Sequence, residues 1–281
     1  LHVRSRRQRQ MCIRDRGYSI PYFLAGSHSA HVNNISYLSA KAGIASRDIN
    51  FLLNRLDPVE RKRYDYSLLE KTYLDYQNTH CEDDSAIASL QNALSGKDIL
   101  VLLPGHTIKT CQGQIQHFYK EKNPIVISVN LLTDCYPIDF AYFSNKNRYQ
   151  YWRNEAAFNK CKKIVTSNVT TRKDDNLFII DFLRLVKCGW EQLDNSGVLL
   201  LRLLDLMNVN SISIAGFDGY SHNSENPNYV EKAMEKTRNT LNAEEANKDI
   251  KSMLVDYKNT RKSSCPISFI TPSYFETVMD E

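Results

Sequence analysis

Short apolar runs bounded by turn residues recur along the later part of the chain. They lie at Ile99–Leu103, Ile125–Val129, Phe140–Phe143, Lys163–Thr166, Leu177–Ile180, Ile212–Ala215 and Ile267–Ile270. Runs this short, near-continuous rather than alternating and rich in β-branched residues, predict strands buried on both faces. Longer stretches with apolar positions three and four apart fall between them, near Ile108–Lys122, Lys146–Phe158, Gly197–Met207 and Tyr229–Tyr257. These predict helices, with a further one over Ala86–Leu94. Strand and helix alternating in this way predict an α/β fold, a mostly parallel sheet with helices on both faces.

The earlier part reads differently. Helical patterns fall at about His31–Ala40, Ser46–Leu56 and Tyr66–Gln77, and Ser46 stands where an N-cap belongs, ahead of Asp48, Ile49, Leu52 and Leu53. Leu68, Leu69, Thr72, Tyr73 and Tyr76 share one helical face. No strand pattern accompanies these helices, so the block is expected to be the helical end of something larger. Thr79–Ser85, polar and acidic, is expected to link it to the sheet.

Composition changes this picture at one place. The formal charge is +4, but Leu1–Arg16 holds six arginines against the single acid Asp15, and without that surplus the chain stands at −1. The segment resembles translated sequencing-adapter sequence and is set aside as an artefactual or disordered basic tail. An expectation of nucleic-acid binding goes with it. No apolar run reaches the roughly 20 residues that span a bilayer, and no apolar signal core is visible. The cysteines, Cys12, Cys81, Cys111, Cys135, Cys161, Cys188 and Cys265, are odd in number and widely spaced with no CxxC. That argues against a disulfide framework or structural zinc and for a reducing, cytoplasmic setting.

The candidate chemistry sits where strands end. In open α/β sheets, ligands bind outside the carboxyl ends of the strands, where loops and helix amino termini present backbone N–H groups. Pro104-Gly105-His106-Thr107 closes the first strand in a tight turn. There Gly105 would let the backbone approach a phosphate, and His106 and Thr107 could donate to it, the alternative being an ordinary tight turn with an exposed His. Asn130 and Asn145 each follow an apolar strand, where an amide can bond a base or ribose or simply stabilise the turn. Ser196 and Gly197 open a helix and are cap residues whatever else they do. Asp218, flanked by Gly216 and Gly219, is the candidate for a metal or an acceptor hydroxyl, with loop stabilisation as the plain alternative. His222 is a candidate general base or an exposed loop histidine. Asp174-Asp175 reads as a solvated turn.

Two family resemblances bear on these residues. Gly17-Tyr-Ser-Ile-Pro-Tyr-Phe-Leu-Ala-Gly-Ser-His-Ser-Ala-His, followed by Asn34, Tyr37-Leu38, Arg63-Tyr64-Asp65 and Tyr73, resembles the tail of the hydroxymethylglutaryl-CoA lyase-like aldolases, nearest to the 4-hydroxy-2-oxovalerate aldolase-like proteins. The resemblance covers residues 17–78. It implies a parent protein with a (β/α)8 barrel holding a divalent metal on acidic and histidine ligands from earlier strands. Those strands are not in this chain, and His28 and His31 belong to the post-barrel segment. The expectation is therefore a C-terminal piece that lacks the aldolase active site.

Residues 97–275 are similar in layout to bacterial lipooligosaccharide sialyltransferases and to 6-hydroxymethylpterin diphosphokinase-like domains. Four junctions, in order, carry this: Leu103-Pro104-Gly105-His106-Thr107, Ser128-Val129-Asn130, Tyr142-Phe143-Ser144-Asn145, and Ser196-Gly197-Val198 ahead of Gly216-Phe217-Asp218. The resemblance implies a Rossmann-like nucleotide-binding domain over 97–281. The chain departs from the sialyltransferases in two places. Pro104 and His106 replace the Gly-x-Gly-Pro-Ser turn, and Ala243–Tyr257 lacks the late histidine that serves as general base. Binding of a nucleotide or nucleotide-sugar is thus expected, with group transfer at its phosphate in the making of a surface-sugar acid. The rival expectation is a non-catalytic docking or regulatory domain for the aldolase half.

Overall fold

The computed structural model describes residues 80–170, 176–187, 190, 195–221, 228–230 and 243–280. All lie in Asn78–Glu281, one of the two units into which the chain divides. The tail 1–16, the aldolase-like segment 17–78, Asp174-Asp175 and His222 lie outside the described residues.

All seven anticipated strands form, as β1 (Asp98–Leu102), β2 (Ile125–Val129), β3 (Phe140–Phe143), β4 (Lys162–Thr166), β5 (Leu177–Ile180), β6 (Ser211–Ala215) and β7 (Ile267–Phe269). They make one sheet in the order β5-β4-β3-β2-β1-β6-β7, with every pairing parallel. The chain walks outward from β1 to β5, then crosses to the far side of β1 for β6 and β7. The strand order therefore reverses between β1 and β6, the position at which sheets of this kind open a crevice. The domain is a Rossmann-like α/β sheet.

The pairing register sorts the side chains. Leu100, Leu102, Val126, Ala141, Phe143, Val165 and Ala215 share one face. The helices α2 (Thr107–Thr110), α3 (Gln112–Lys122) and α4 (Lys146–Trp152), with a 3-10 turn at Ala156–Lys160, belong to the connections on this side. Ile108 and Ile115 join Leu100, Leu102 and Val126 in one apolar cluster, and Trp152 and Phe158 join Ala141, Phe143 and Val165 in another. Ile99, Val101, Ile127, Val129, Tyr142, Ile164, Ile212 and Ile214 alternate to the opposite face and are fully buried as well. The remaining helices are α1 (Asp84–Leu94), α5 (Phe182–Leu185), α6 (Ser196–Asp205), α7 (Ala243–Thr260) and α8 (Glu276–Asp280). Right-handed crossovers put helices that return toward β6 and β7 on the face opposite to those leading outward.

Several boundaries differ from the sequence expectation. The helix expected over Ile108–Lys122 breaks at Cys111 into α2 and α3, and α3 stops at Asn123, which is left-handed at φ 45° and precedes Pro124. The helix expected from Tyr229 is absent at 228–230. There the Val230 N–H donates to the Pro104 carbonyl at 2.9 Å, and Tyr229 and Val230 pack against the Phe143 cluster. The segment is used to bridge the loop after β1 and the α4 side of the sheet. Among the described residues, no helix is long and apolar enough to cross a membrane.

Candidate functional site

Every polar residue singled out at a strand end lies at the carboxyl edge of the sheet, and the structure sorts them into two groups. The first closes the crevice between β1 and β6. The Gly105 N–H donates to the Gly216 carbonyl at 3.0 Å, so the two loops run back to back. Asp218 turns inward. One carboxylate oxygen accepts from the Thr107 backbone N–H at 2.8 Å and the other from the Thr107 hydroxyl. Thr107 Oγ1 also lies 3.0 Å from Thr271 Oγ1, whose hydroxyl is placed to donate to it, and Thr271 Oγ1 accepts from the Gly216 N–H at 2.9 Å. Thr271, just beyond β7, was missed by sequence reasoning. Its partners lie more than fifty positions away, so no local pattern marks it.

This lacing has an electrostatic consequence. Burial pushes the Asp218 carboxyl above its ordinary value of 3.8, and the two bonds from Thr107 pull it partly back. A carboxyl that holds its proton more tightly when folded favours the fold at low pH. That contribution fades as pH climbs from 3.8 through the raised folded value. Asp218→Asn should therefore flatten the stability profile as pH rises above 3.8 while keeping an acceptor for Thr107. Asp218→Ala leaves the Thr107 amide unbonded and should cost about 1–3 kcal/mol. Urea titrations of the two variants from pH 4 upward check both; no loss in either variant at any pH would show that the carboxylate holds nothing in place.

His106 occupies the position ahead of α2 with its Nδ1 buried and unpartnered. With both oxygens of Asp218 on Thr107, the first group acts as a structural clasp in the arrangement seen. Among the described residues, no three His, Cys, Asp or Glu side chains gather as a metal site.

The second group crosses the ends of β2, β3 and β4. Asn130 leaves β2 in the left-handed region at φ 52°, a conformation that asparagine tolerates. Its backbone is held on both sides, its N–H donating to the Tyr142 carbonyl at 2.8 Å and its carbonyl accepting from Trp152 Nε1 at 3.0 Å. That turn sends the amide side chain to Ser196, with Asn130 Nδ2 2.8 Å from Ser196 Oγ. Ser144 Oγ donates to the same oxygen at 2.7 Å, and Asn168 Nδ2 reaches the Ser144 carbonyl at 3.3 Å. Asn130, Ser196 and Ser144 are thus linked side chain to side chain, and Asn168 joins them through the Ser144 backbone.

Two atoms of that chain are left over. Asn130, only 9% exposed, has its Oδ1 buried with no hydrogen-bond partner, and so does Asn168. An unmet buried acceptor costs about 1–3 kcal/mol, so two of them in one cluster call for a reason.

The helix that brings Ser196 here is positioned by its own first turn. Asn195 is the N-cap, its Oδ1 accepting from the N–H groups of Gly197 at 2.9 Å and Val198 at 3.2 Å. The free amides expected at this end are therefore largely occupied. Gly197 is glycine because a Cβ would lie 2.6 Å from Leu103 Cδ2 and 3.5 Å from Phe217 Cζ. It lets α6 press onto the ends of β1 and β6, which is the physical link between the two groups.

Of the residues anticipated for a ligand, Asn130 and Ser196 touch directly. Gly105, Thr107 and Asp218 meet one another in the crevice. Asn145 does neither: its Oδ1 accepts from the Arg148 N–H at 3.2 Å and caps α4, while the preceding Ser144 enters the polar chain. Asn168 was overlooked, although it follows an apolar strand just as Asn130 and Asn145 do. A groove of about 340 Å³ lies elsewhere, lined by Leu132, Tyr136, Ile138, Ala157 and Cys161, and includes none of the anticipated residues. Compared with family models, with curated proteins and with solved structures, the chain matches none.

Proposed function

We propose that Asn78–Glu281 binds a nucleotide or nucleotide-sugar at the carboxyl edge of its sheet, and that its chemistry is group transfer at the nucleotide phosphate. The observation that supports this is the part-buried chain Asn130–Ser196–Ser144–Asn168, set beside a helix amino terminus and one strand from the reversal of strand order. Ser196 and Gly197 would hold phosphate, its oxygen taking over the amides now capped by Asn195. Asn130 and Asn145 would meet the base or ribose. Gly105, His106 and Thr107 would form the adjoining wall. Asp218 would serve a metal or acceptor hydroxyl once Thr107 lets go, and His222 enters as candidate base on sequence alone. A setting beside an aldolase, in the assembly of a surface-sugar acid, rests on the resemblance of residues 17–78.

A second reading has one observation in its favour. The crevice between β1 and β6 is filled by the protein's own Asp218, Thr107 and Thr271. A sheet sealed at that position suits a docking or regulatory domain for an aldolase-like carbon–carbon lyase. Calorimetry of the chain with CMP, CTP, ATP and related nucleotide-sugars separates the two. The nucleotide reading expects micromolar binding to at least one of them, weakened about tenfold or more by Ser196→Ala, the order expected for a lost charge-assisted hydrogen bond. Millimolar or weaker binding to all favours the docking reading.

A further inference from the structure

We infer that the strand-end cluster selects a neutral ligand group that donates hydrogen bonds, and that Asn168, together with Asn130, reads it. This inference rests on the nucleotide reading above and narrows it to ligands that present an amino group or paired hydroxyls.

The geometry carries this in three steps. Asn130 follows β2 and Asn168 follows β4, and the strand between them contributes Ser144, which both share through one continuous set of bonds. Neighbouring strands lie about 4.8 Å apart, so the two backbones stand roughly 10 Å apart, with Asn168 bonded to the middle strand directly and Asn130 through Ser196. Each amide uses its NH2 inward, on Ser196 Oγ or the Ser144 carbonyl. Each is left with a buried oxygen that accepts from nothing.

The sign of the local field then restricts the partner. The two carbonyl-type oxygens repel an anion set against them, which leaves the phosphate to Ser196 and Gly197. The amino terminus of α6, with Ser196 as its first residue, carries partial positive charge and repels a cation. A neutral donor satisfies both. The exocyclic amino group of a nucleobase, with two hydrogens to share, fits, and so does a pair of vicinal sugar hydroxyls. A keto base in the same place would set oxygen against oxygen and leave both amides unmet, the kind of mismatch that gives strong discrimination.

The test uses the full chain and paired ligands in calorimetry. AMP against IMP and CMP against UMP exchange amino for keto, and AMP against its 2′-deoxy form removes one hydroxyl. Amino bases are expected to bind about tenfold or more tightly than their keto partners, the order that one lost hydrogen bond to a buried acceptor implies. Asn168→Leu should bring that ratio to within twofold. A loss confined to the deoxy ligand, removed by the same variant, also supports the inference and assigns the donors to the sugar. Equal binding in every arm overturns it and leaves the nucleotide reading standing. No binding to any of the ligands overturns both. The wild-type ratios decide the matter even if Asn168→Leu fails to fold.

Discussion

Gly216→Ala should destabilise the domain by about 3 kcal/mol or more, a left-handed non-glycine residue and an overpacked contact each costing on the order of 1–3 kcal/mol. Gly216 sits at φ 76°, and a Cβ there would lie 2.2 Å from the Leu103 carbonyl oxygen and 2.6 Å from Ile108 Cγ1. The backbone cannot yield easily. The Gly216 carbonyl holds the Gly105 N–H, its own N–H is held by Thr271, and Leu103 is tied to Ala215 at 2.9 Å. A flexible neighbour could turn aside, but a backbone whose N–H is tied into the sheet cannot. Gly113 is the control. It lies in α3 with nothing within 4 Å of a Cβ, so Gly113→Ala should stabilise by about 0.5–1 kcal/mol through helix propensity. Urea midpoints at unchanged slope measure both. If the two variants shift together in the same direction, the close approach of the β1 and β6 loops is not what holds the crevice shut.

The architecture was legible because each strand is an apolar run buried on both faces, and such runs stand out without reference to their partners. Only the ends moved, by a residue or so. Helix ends were less legible. The break at Cys111 does not itself fall on a glycine or proline, and the fate of the Tyr229 segment depends on the bond from Val230 to Pro104, over a hundred positions away.

The candidate site was legible as a location and less so as a set of contacts. A polar residue after an apolar strand must lie at the carboxyl edge of a parallel sheet, which places Asn130, Asn145, Ser196 and Asp218 there. Which of them meet is decided by side-chain direction, and sequence spacing does not carry that. Asn145 turns back to cap its own helix, whereas Asn130, locked in the left-handed region, turns toward Ser196. A lone acid between two glycines resembles a ligand-facing carboxylate until the threonine that claims both its oxygens is known.

The least legible feature lies in Thr79–Ser85, where three acids and few apolar residues read as a solvated linker. Asp83 is instead 1% exposed. Its carboxylate accepts from Arg184 Nε at 3.0 Å and Arg184 NH2 at 2.6 Å, and from the Asp181 backbone N–H at 2.9 Å. Asp181 in turn caps α5 and holds His80 Nδ1 at 2.5 Å. The stretch before α1 is thus fastened to the end of β5 by a two-pronged ion pair. Asp83→Ala would strand the Asp181 amide, and Arg184→Met would leave a carboxylate with little water around it. The guanidinium is 42% exposed, which discounts the full cost of breaking a buried pair, and each change should cost about 2–3 kcal/mol. Because both remove the same bonds, the double variant should fall short of the summed losses by about 1 kcal/mol or more. A double-mutant cycle in urea gives that coupling directly. Strict additivity would mean that the pair contributes nothing beyond its separate neighbours, and that α1 is held on the sheet by the apolar contacts of Leu90 and Leu94 alone.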